Sequence, residues 1–376
     1  MKARLIIGLF LLCFTAKAQL SWDGQVSGIS SYSPDNAYSL FLGARYIPAL
    51  NYTHALDSGR RFDFLASANL SASTFIDPFD STSSNAQLNP YRLWARYAGK
   101  RFQLRLGLQK IDFGVATLLR PLQWFNQIDP RDPLALTNGV YGLMGRYFFQ
   151  NNANIWLWGL YGNEKRRGFD LLNTNKDIPE WGGRLQLPIK SGEIGFTYHH
   201  RNASANALLD TDSLDKIPES RYAIDIKVDQ IIGLSLEATY IQKAESAENL
   251  NDINHQQLIN IGIDYTFGLG NGLTLLTEHL IINSNETAFE TGNTSHITAL
   301  SLSYPLSFFD NISTLAYYSW TNETATVFIN YQHQFSNFLA YVMAYYNPSQ
   351  LIGIQQNDFV NNFSGPGIRL LVVFNH

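Results

Sequence analysis

The sequence predicts an all-β transmembrane antiparallel β-barrel of about 18 strands, or about 16 if one pair is split too finely. Three observations carry this: alternation of apolar and polar residues, a leader-like N-terminus, and a rhythm of short and long connections. The alternation is plainest in Arg101-Phe102-Gln103-Leu104-Arg105-Leu106-Gly107-Leu108-Gln109. Each even position is large and apolar; each odd one is charged, amide-bearing or glycine. Successive side chains of a strand point to opposite faces, so one face suits hydrocarbon and the other water.

The N-terminus supports the same class. Met1-Lys2-Ala3-Arg4 supplies positive charge, Leu5 to Phe14 is a short apolar core, and Ala16-Lys17-Ala18 is a small-x-small cleavage site before Gln19. Residues 1–18 therefore read as a secretory signal peptide. A core of about ten residues falls short of the roughly 20 that a spanning helix needs. Cleavage removes Lys2, Arg4 and Lys17 and no acid, taking the formal net charge from −4 to −7. It also removes Cys13, the only cysteine. The mature chain, 19–376, is thus expected to be a single barrel with no disulfide, thiolate metal site or cysteine nucleophile.

Composition agrees. Aromatic residues are 14% of the chain and charged residues 15%, where a soluble domain carries about 25% charged residues. Rich in rings, poor in charge and free of long apolar runs after Ala18, the chain fits a barrel with interfacial aromatic girdles. Its acidic balance excludes a basic nucleic-acid footprint, so no nucleic-acid partner is expected.

Strand-like segments follow at 21–32, 39–51, 61–73, 91–98, 101–109, 138–149, 153–161, 181–188, 193–201, 219–229, 233–243, 256–267, 272–282, 295–305, 311–320, 323–334, 337–347 and 365–374. Short turns such as Gly99-Lys100, Gln150 to Asn152 and Phe335-Ser336 alternate with long polar connections at 74–90, 110–137, 162–180, 202–218, 244–255, 283–294 and 348–364. In outer-membrane barrels the short turns face the periplasm and the long loops face outward. A soluble β-sandwich also alternates but gives no reason for that rhythm. The expected location is the outer membrane of a Gram-negative bacterium, with membrane lipid and the barrel-assembly machinery as partners. Ile368 to His376 resembles the final-strand signal of such proteins, with Asn375 and His376 following the terminal aromatic Phe374.

Parity assigns the lumen. Arg92, Trp94 and Arg96 point inward, followed by Arg101, Gln103, Arg105 and Gln109, then Arg146, Arg184, Gln186 and Arg201, with Arg45 and Arg61 joining them. Inward acids come later in the chain: Glu193, Asp225, Glu237, Asp264 and Glu278, with Lys227 and Lys243 among them. An arginine-rich wall facing an acidic one sets a field across a pore and favours dipolar or anionic solutes. Arginine suits this because its planar fork pairs with carboxylate or phosphate and stays charged. The bland alternative is that these arginines pair with lumen acids and stiffen the wall.

The segment 110–137 is the most distinctive connection. A solvent-exposed loop has no reason to carry Leu118, Leu119, Leu122, Trp124 and Phe125 together. It is expected to fold into the barrel and constrict it, with Trp124 and Phe125 stacking on sugar or acyl groups and Arg120 and Arg131 meeting anions. A loop packed over the rim is the structural alternative.

Arg105-x-Gly107-x-Gln109-Lys110-Ile111-x-Phe113-Gly114, followed by Asn126-x-Ile128-Asp129-Pro130-Arg131-Asp132, resembles a feature of alginate-export-type and related bacterial outer-membrane porins. The resemblance is local; the rest agrees in architecture. It implies an eighteen-stranded barrel with an arginine-lined conduit for anionic polysaccharide. Ile-Asp-Pro-Arg-Asp departs from the family's looser pattern, and this lumen also carries acids.

No cofactor motif is present and no enzymatic activity is expected. Asp112-Phe113-Gly114 copies a kinase triplet without the accompanying loops, and His199 and His200 fall on opposite faces of a strand. The function expected is passive or facilitated passage of small polar or anionic solutes, including acidic saccharides. Two alternatives stay open: a non-conducting barrel that anchors or gates a surface or secretion complex, and a barrel hydrolase. The oligomeric state is not legible.

Overall fold

The computed structural model describes residues 18–36, 38–57, 59–77, 81–205, 215–244, 254–348 and 365–376. The expected signal peptide, apart from Ala18, lies outside the described residues. So do the middles of the connections expected at 202–218, 244–255 and 348–364. The strands are β1 (Ala18–Tyr32), β2 (Leu40–Asp57), β3 (Arg60–Ile76), β4 (Thr82–Ala98), β5 (Phe102–Gln109), β6 (Val140–Phe148), β7 (Asn154–Leu160), β8 (Asn173–Thr174), β9 (Glu180–Ile189) and β10 (Gly192–Ser204). They continue as β11 (Ile217–Asp229), β12 (Gly233–Lys243), β13 (His255–Phe267), β14 (Leu273–Asn285), β15 (Thr294–Pro305), β16 (Asp310–Ser319), β17 (Thr324–Gln334), β18 (Phe338–Asn347) and β19 (Gly365–Asn375).

Every wall strand pairs antiparallel with its neighbours, and β19 returns to β1 from Gln25↔Asn375 to Tyr32↔Ile368. The result is a closed 18-strand antiparallel barrel. Closure leaves no sheet edge for lipid to strand without hydrogen-bond partners. The remaining strand, β8, is a two-residue piece of the 162–180 connection that pairs with the end of β10.

Parity holds where it was read most clearly. Leu104 and Leu106 on β5 and Ile261 and Ile263 on β13 are exposed outward, while Leu258, Asn260, Glu237 and Glu278 are buried inside. Leu104→Arg is therefore expected to cost about 2–4 kcal/mol of membrane folding, as a cation facing lipid does near midplane. Gln103→Arg should refold normally. Refolding yield and urea unfolding in vesicles check the pair, and equal tolerance at both positions would refute the assignment.

The structure differs from the expectation at one long connection, 74–90. Residues 82–90, expected within a loop, extend β4, and the connection shrinks to 77–81. Ile76↔Thr82 to Asn69↔Asn89 continue the ladder. Thr82-Ser83-Ser84-Asn85 is polar on both faces, so a strand running past the membrane shows no alternation there.

Inside the barrel, loop 110–139 meets the walls in two apolar clusters. Ile111, Phe113, Leu122, Trp124 and Phe125 pack with Val140, Met144, Trp156, Trp158 and Leu160. Leu118 and Leu119 join Phe41, Ile241, Leu258, Leu280 and Ile297.

Candidate functional site

The fold-in begins at the end of β5. Gly107 has φ +119°, and a Cβ there would lie 2.1 Å from the Leu93 carbonyl oxygen, so only glycine allows the strands to approach this closely. Buried Gln109 then donates through Nε2 to the carbonyls of Arg105 (3.2 Å) and Gly142 (2.9 Å). In this chain Gly107 and Gln109 of the R-x-G-x-Q pattern shape backbone.

Two carboxylates from the opposite wall hold the loop. Glu237 on β12 accepts from the N–H groups of Val115 (2.5 Å), Ala116 (2.8 Å) and Leu122 (3.2 Å). Glu278 on β14 accepts from those of Thr117 (2.7 Å), Leu118 (3.1 Å) and Leu119 (2.6 Å), and from Asn260 Nδ2 (3.0 Å). Six loop amides thus end on two buried side chains. Gly114 (φ +101°) makes the approach possible, since a Cβ there would sit 2.3 Å from Glu237 Oε1.

The loop's own charges are engaged locally. Arg120 donates to Asp112 (2.6 Å) and to the Ala116 carbonyl (3.1 Å). Burial raises the affinity of Asp112 for its proton, but Arg120 and Lys110 outweigh it and hold the carboxyl below its ordinary value. Arg131 pairs with Asp129 (2.8 Å). Arg92 ties down the returning leg through Thr137, at 3.0 Å to its carbonyl and 2.6 Å to Oγ1. Trp124 and Phe125 are buried against the wall.

Arg184 and Arg201 are likewise enclosed. Arg184 makes a two-pronged contact with Asp225 (2.5 and 2.8 Å). Arg201, with 0% exposure, pairs with Glu219 (2.6 Å) and with Asp170 (2.8 Å), which the 162–180 connection brings inward. Arg221 shares both acids, and Arg167 pairs with Glu180 (2.5 Å). For Arg184 and Arg201 the geometry is that of the stiffening alternative, while Arg120 and Arg131 pair within the loop itself.

Sequence reasoning missed Glu219, Arg221, Asp170 and Arg167. The signal for the first two was present, since they share the parity of Asp225 on β11. Asp170 and Arg167 lie in a connection, where no period assigns a face.

A different group of arginines lines the short-turn half of β4–β6. Arg96 lies opposite Arg105, and Gln103 opposite Arg146. Arg96 is bound to Asp63 (2.8 Å). Among the described residues no carboxylate lies within salt-bridge distance of Arg105 or Arg146. Both guanidiniums instead cover indoles: Arg105 stands 4.7 Å and Arg96 5.6 Å from the Trp94 ring, and Arg146 4.1 Å from Trp156. Arg101 is exposed in the 99–101 turn. Glu193, hydrogen-bonded by Gln186, lies on β10, three strands round the wall from Arg146, and half-buried Asp264 lies further round on β13.

No protein-family profile and no curated protein matches the chain. Solved structures do. OccK2 (OpdF) of Pseudomonas aeruginosa, solved in complex with glucuronate, gives a TM-score of 0.60 at 9% identity, over 96% of this chain and 98% of that one. OccD3 (OpdP) of the same organism gives 0.56 at 10%, over 96% and 91%. An anion-selective porin from Comamonas acidovorans gives 0.52 at 10%, over 96% and 100%. These neighbours are outer-membrane porins, and at such identity the likeness establishes the fold alone: a closed antiparallel β-barrel. These likenesses do not show the alginate-export family.

Proposed function

We propose that this chain is an outer-membrane channel, delivered by its signal peptide, for diffusion of small polar or anionic solutes, with acidic saccharides as the favoured class. The observation that carries the reading is the 110–139 loop held across the lumen by Glu237 and Glu278. A loop anchored on the opposite wall turns a wide hole into a narrow path, which an anchoring barrel does not need. Beyond the loop a solute meets Arg96, Arg105 and Arg146 with Trp94 and Trp156. An indole face suits the C–H surface of a sugar, and a guanidinium suits its carboxylate. The neighbour solved with glucuronate supports that class.

A second reading has its own observation. Leu118 and Leu119 pack against apolar side chains of several wall strands, from Phe41 on β2 to Leu280 on β14. A barrel closed at rest, serving as a subunit of a surface complex, would look the same. Steady conductance separates the two.

Replacing Arg96, Arg105 and Arg146 together by glutamine is expected to shift the reversal potential in a salt gradient toward cation preference by a few tens of millivolts. Fixed charge near a narrow path sets the local counter-ion concentration, so the effect should fade in high salt. Unchanged selectivity in a normally folded triple variant would refute the arginine assignment.

A further inference from the structure

The short-turn rim is unlike on its two sides. Turns of the β2–β10 side are mainly polar, carrying Asp57 and Arg60, Lys100 and Arg101, Gln150 to Asn152, and Lys190, with Leu56, Phe149 and Ile189 the large apolar side chains exposed beside them. Turns of the β11–β18 side carry Ile231, Leu269, Leu306, Phe308, Phe309 and Phe335. All six are exposed, Ile231 by 85% and Phe308 fully. The turn that holds Phe308 out is firmly built. The Leu306 N–H donates to the Asp310 carbonyl (2.9 Å), and the Asp310 carboxylate accepts from Ser307 Oγ (2.6 Å) and Tyr331 Oη (2.5 Å). Its rings are therefore presented rather than left loose.

Strand arithmetic says what covers them. A tilted strand crosses the hydrocarbon in about 9–11 residues. On this side, outward ring residues mark the loop-side edge of the apolar wall: Tyr240, His279, Tyr318 and Tyr346. Counting about ten residues from each toward the short turns reaches Ile231, Leu269, Phe308 and Phe335. Measured from these four rings the strands supply 7 to 9 residues of the crossing, and the turns supply the rest. Rings stand at the strand ends on both sides, Phe102 and Tyr147 on the one and Phe267 and Phe338 on the other, but the turns beyond the first pair are mainly polar. The registers agree: Phe338 lies opposite Phe374, Phe374 opposite Val26 and Val26 opposite Tyr46, yet β2 runs on to Asp57. The rim is thus stepped, recessed at β17–β19 and projecting at β2–β3.

We infer that the turns of the β11–β18 side sit in the lipid interface of the short-turn leaflet, while those of the β2–β10 side stand in water. The partner of this rim is a lipid surface, continuous with the apolar wall above it. This rests on the outer-membrane reading. Patches of large exposed apolar side chains are otherwise uncommon on protein surfaces facing water.

Site-directed spin labels test it. Cys13, the only cysteine, lies in the expected signal peptide, so the mature chain accepts single labels at Phe308→Cys, Leu269→Cys and Lys190→Cys without a further substitution. After refolding into phosphatidylcholine vesicles, power saturation with oxygen and with a water-soluble nickel chelate reads depth. Labels at 308 and 269 should be relaxed severalfold more by oxygen relative to the chelate than the label at 190. Vesicle-bound protein in which all three labels are equally open to the chelate would overturn the inference and leave the barrel reading intact. Protein that does not float with the vesicles at all would overturn the barrel reading itself. The label at 269 decides the matter should the Phe308 variant fail to fold.

Discussion

Replacing Glu237 and Glu278 together by alanine is expected to release the 110–139 loop and raise single-channel conductance severalfold. Each carboxylate accepts three loop N–H groups. A hydrogen bond to a charged group contributes about 1.5–3 kcal/mol. Removing six of them exceeds the roughly 5.5 kcal/mol that moves an equilibrium from about 1:99 to 99:1. Losses of this kind are not additive, and the apolar contacts of Leu118, Phe125 and their neighbours oppose release, so the opened state should flicker rather than lock. Glutamine at both positions keeps one acceptor oxygen on each side chain and should give an intermediate conductance. Deleting 115–134 should open the barrel further than either. An unaltered conductance in a heat-modifiable, β-rich double variant would mean that the loop does not set the path.

Arg201→Ala is expected to act on stability and leave selectivity alone. It strips Glu219 and Asp170 of a buried partner, and leaving one half of a buried ion pair costs about 3–5 kcal/mol. Arg221 and Lys243 remain near Glu219, which places the loss toward the lower end. The 162–180 connection, which reaches this cluster through Asp170 and through Arg167–Glu180, should become protease-sensitive. Urea unfolding and limited proteolysis read the loss, and reversal potential reads the rest. A selectivity change without a stability change would put Arg201 on the solute path. The opposite pattern is expected for Arg105→Gln, whose side chain has no acid to strand.

Much of the architecture was legible because a strand repeats every two residues and one face of each must tolerate lipid. Leu104 and Ile263 had only one place to go. The same rule failed at Thr82 to Asn85, where the ladder runs beyond any apolar layer and both faces are polar. Leucine, tryptophan and phenylalanine at the density of 110–137 need a wall, and Leu118, Leu119, Leu122, Trp124 and Phe125 are buried against one. What holds the loop was not legible. Parity put Glu237 and Glu278 inside, but a carboxylate that binds backbone amides leaves no complementary charge in the sequence to point at it. The row of arginines likewise read as one ladder because parity reports a face and not a partner. Asp170, supplied by a connection, converts Arg201 from a free cation into half of a buried pair. Arg105 and Arg146 stay apart because their cross-strand neighbours, Arg96, Met144, Gln103 and Trp156, include no acid.

The most direct test of the channel is the conductance and reversal potential of the mature protein in a planar bilayer under a potassium chloride gradient. A small, steady conductance with a reversal potential on the anion side is the predicted result, and glucuronate in the bath should reduce it. A barrel that inserts yet stays silent, or one that conducts with cation preference, would contradict the account.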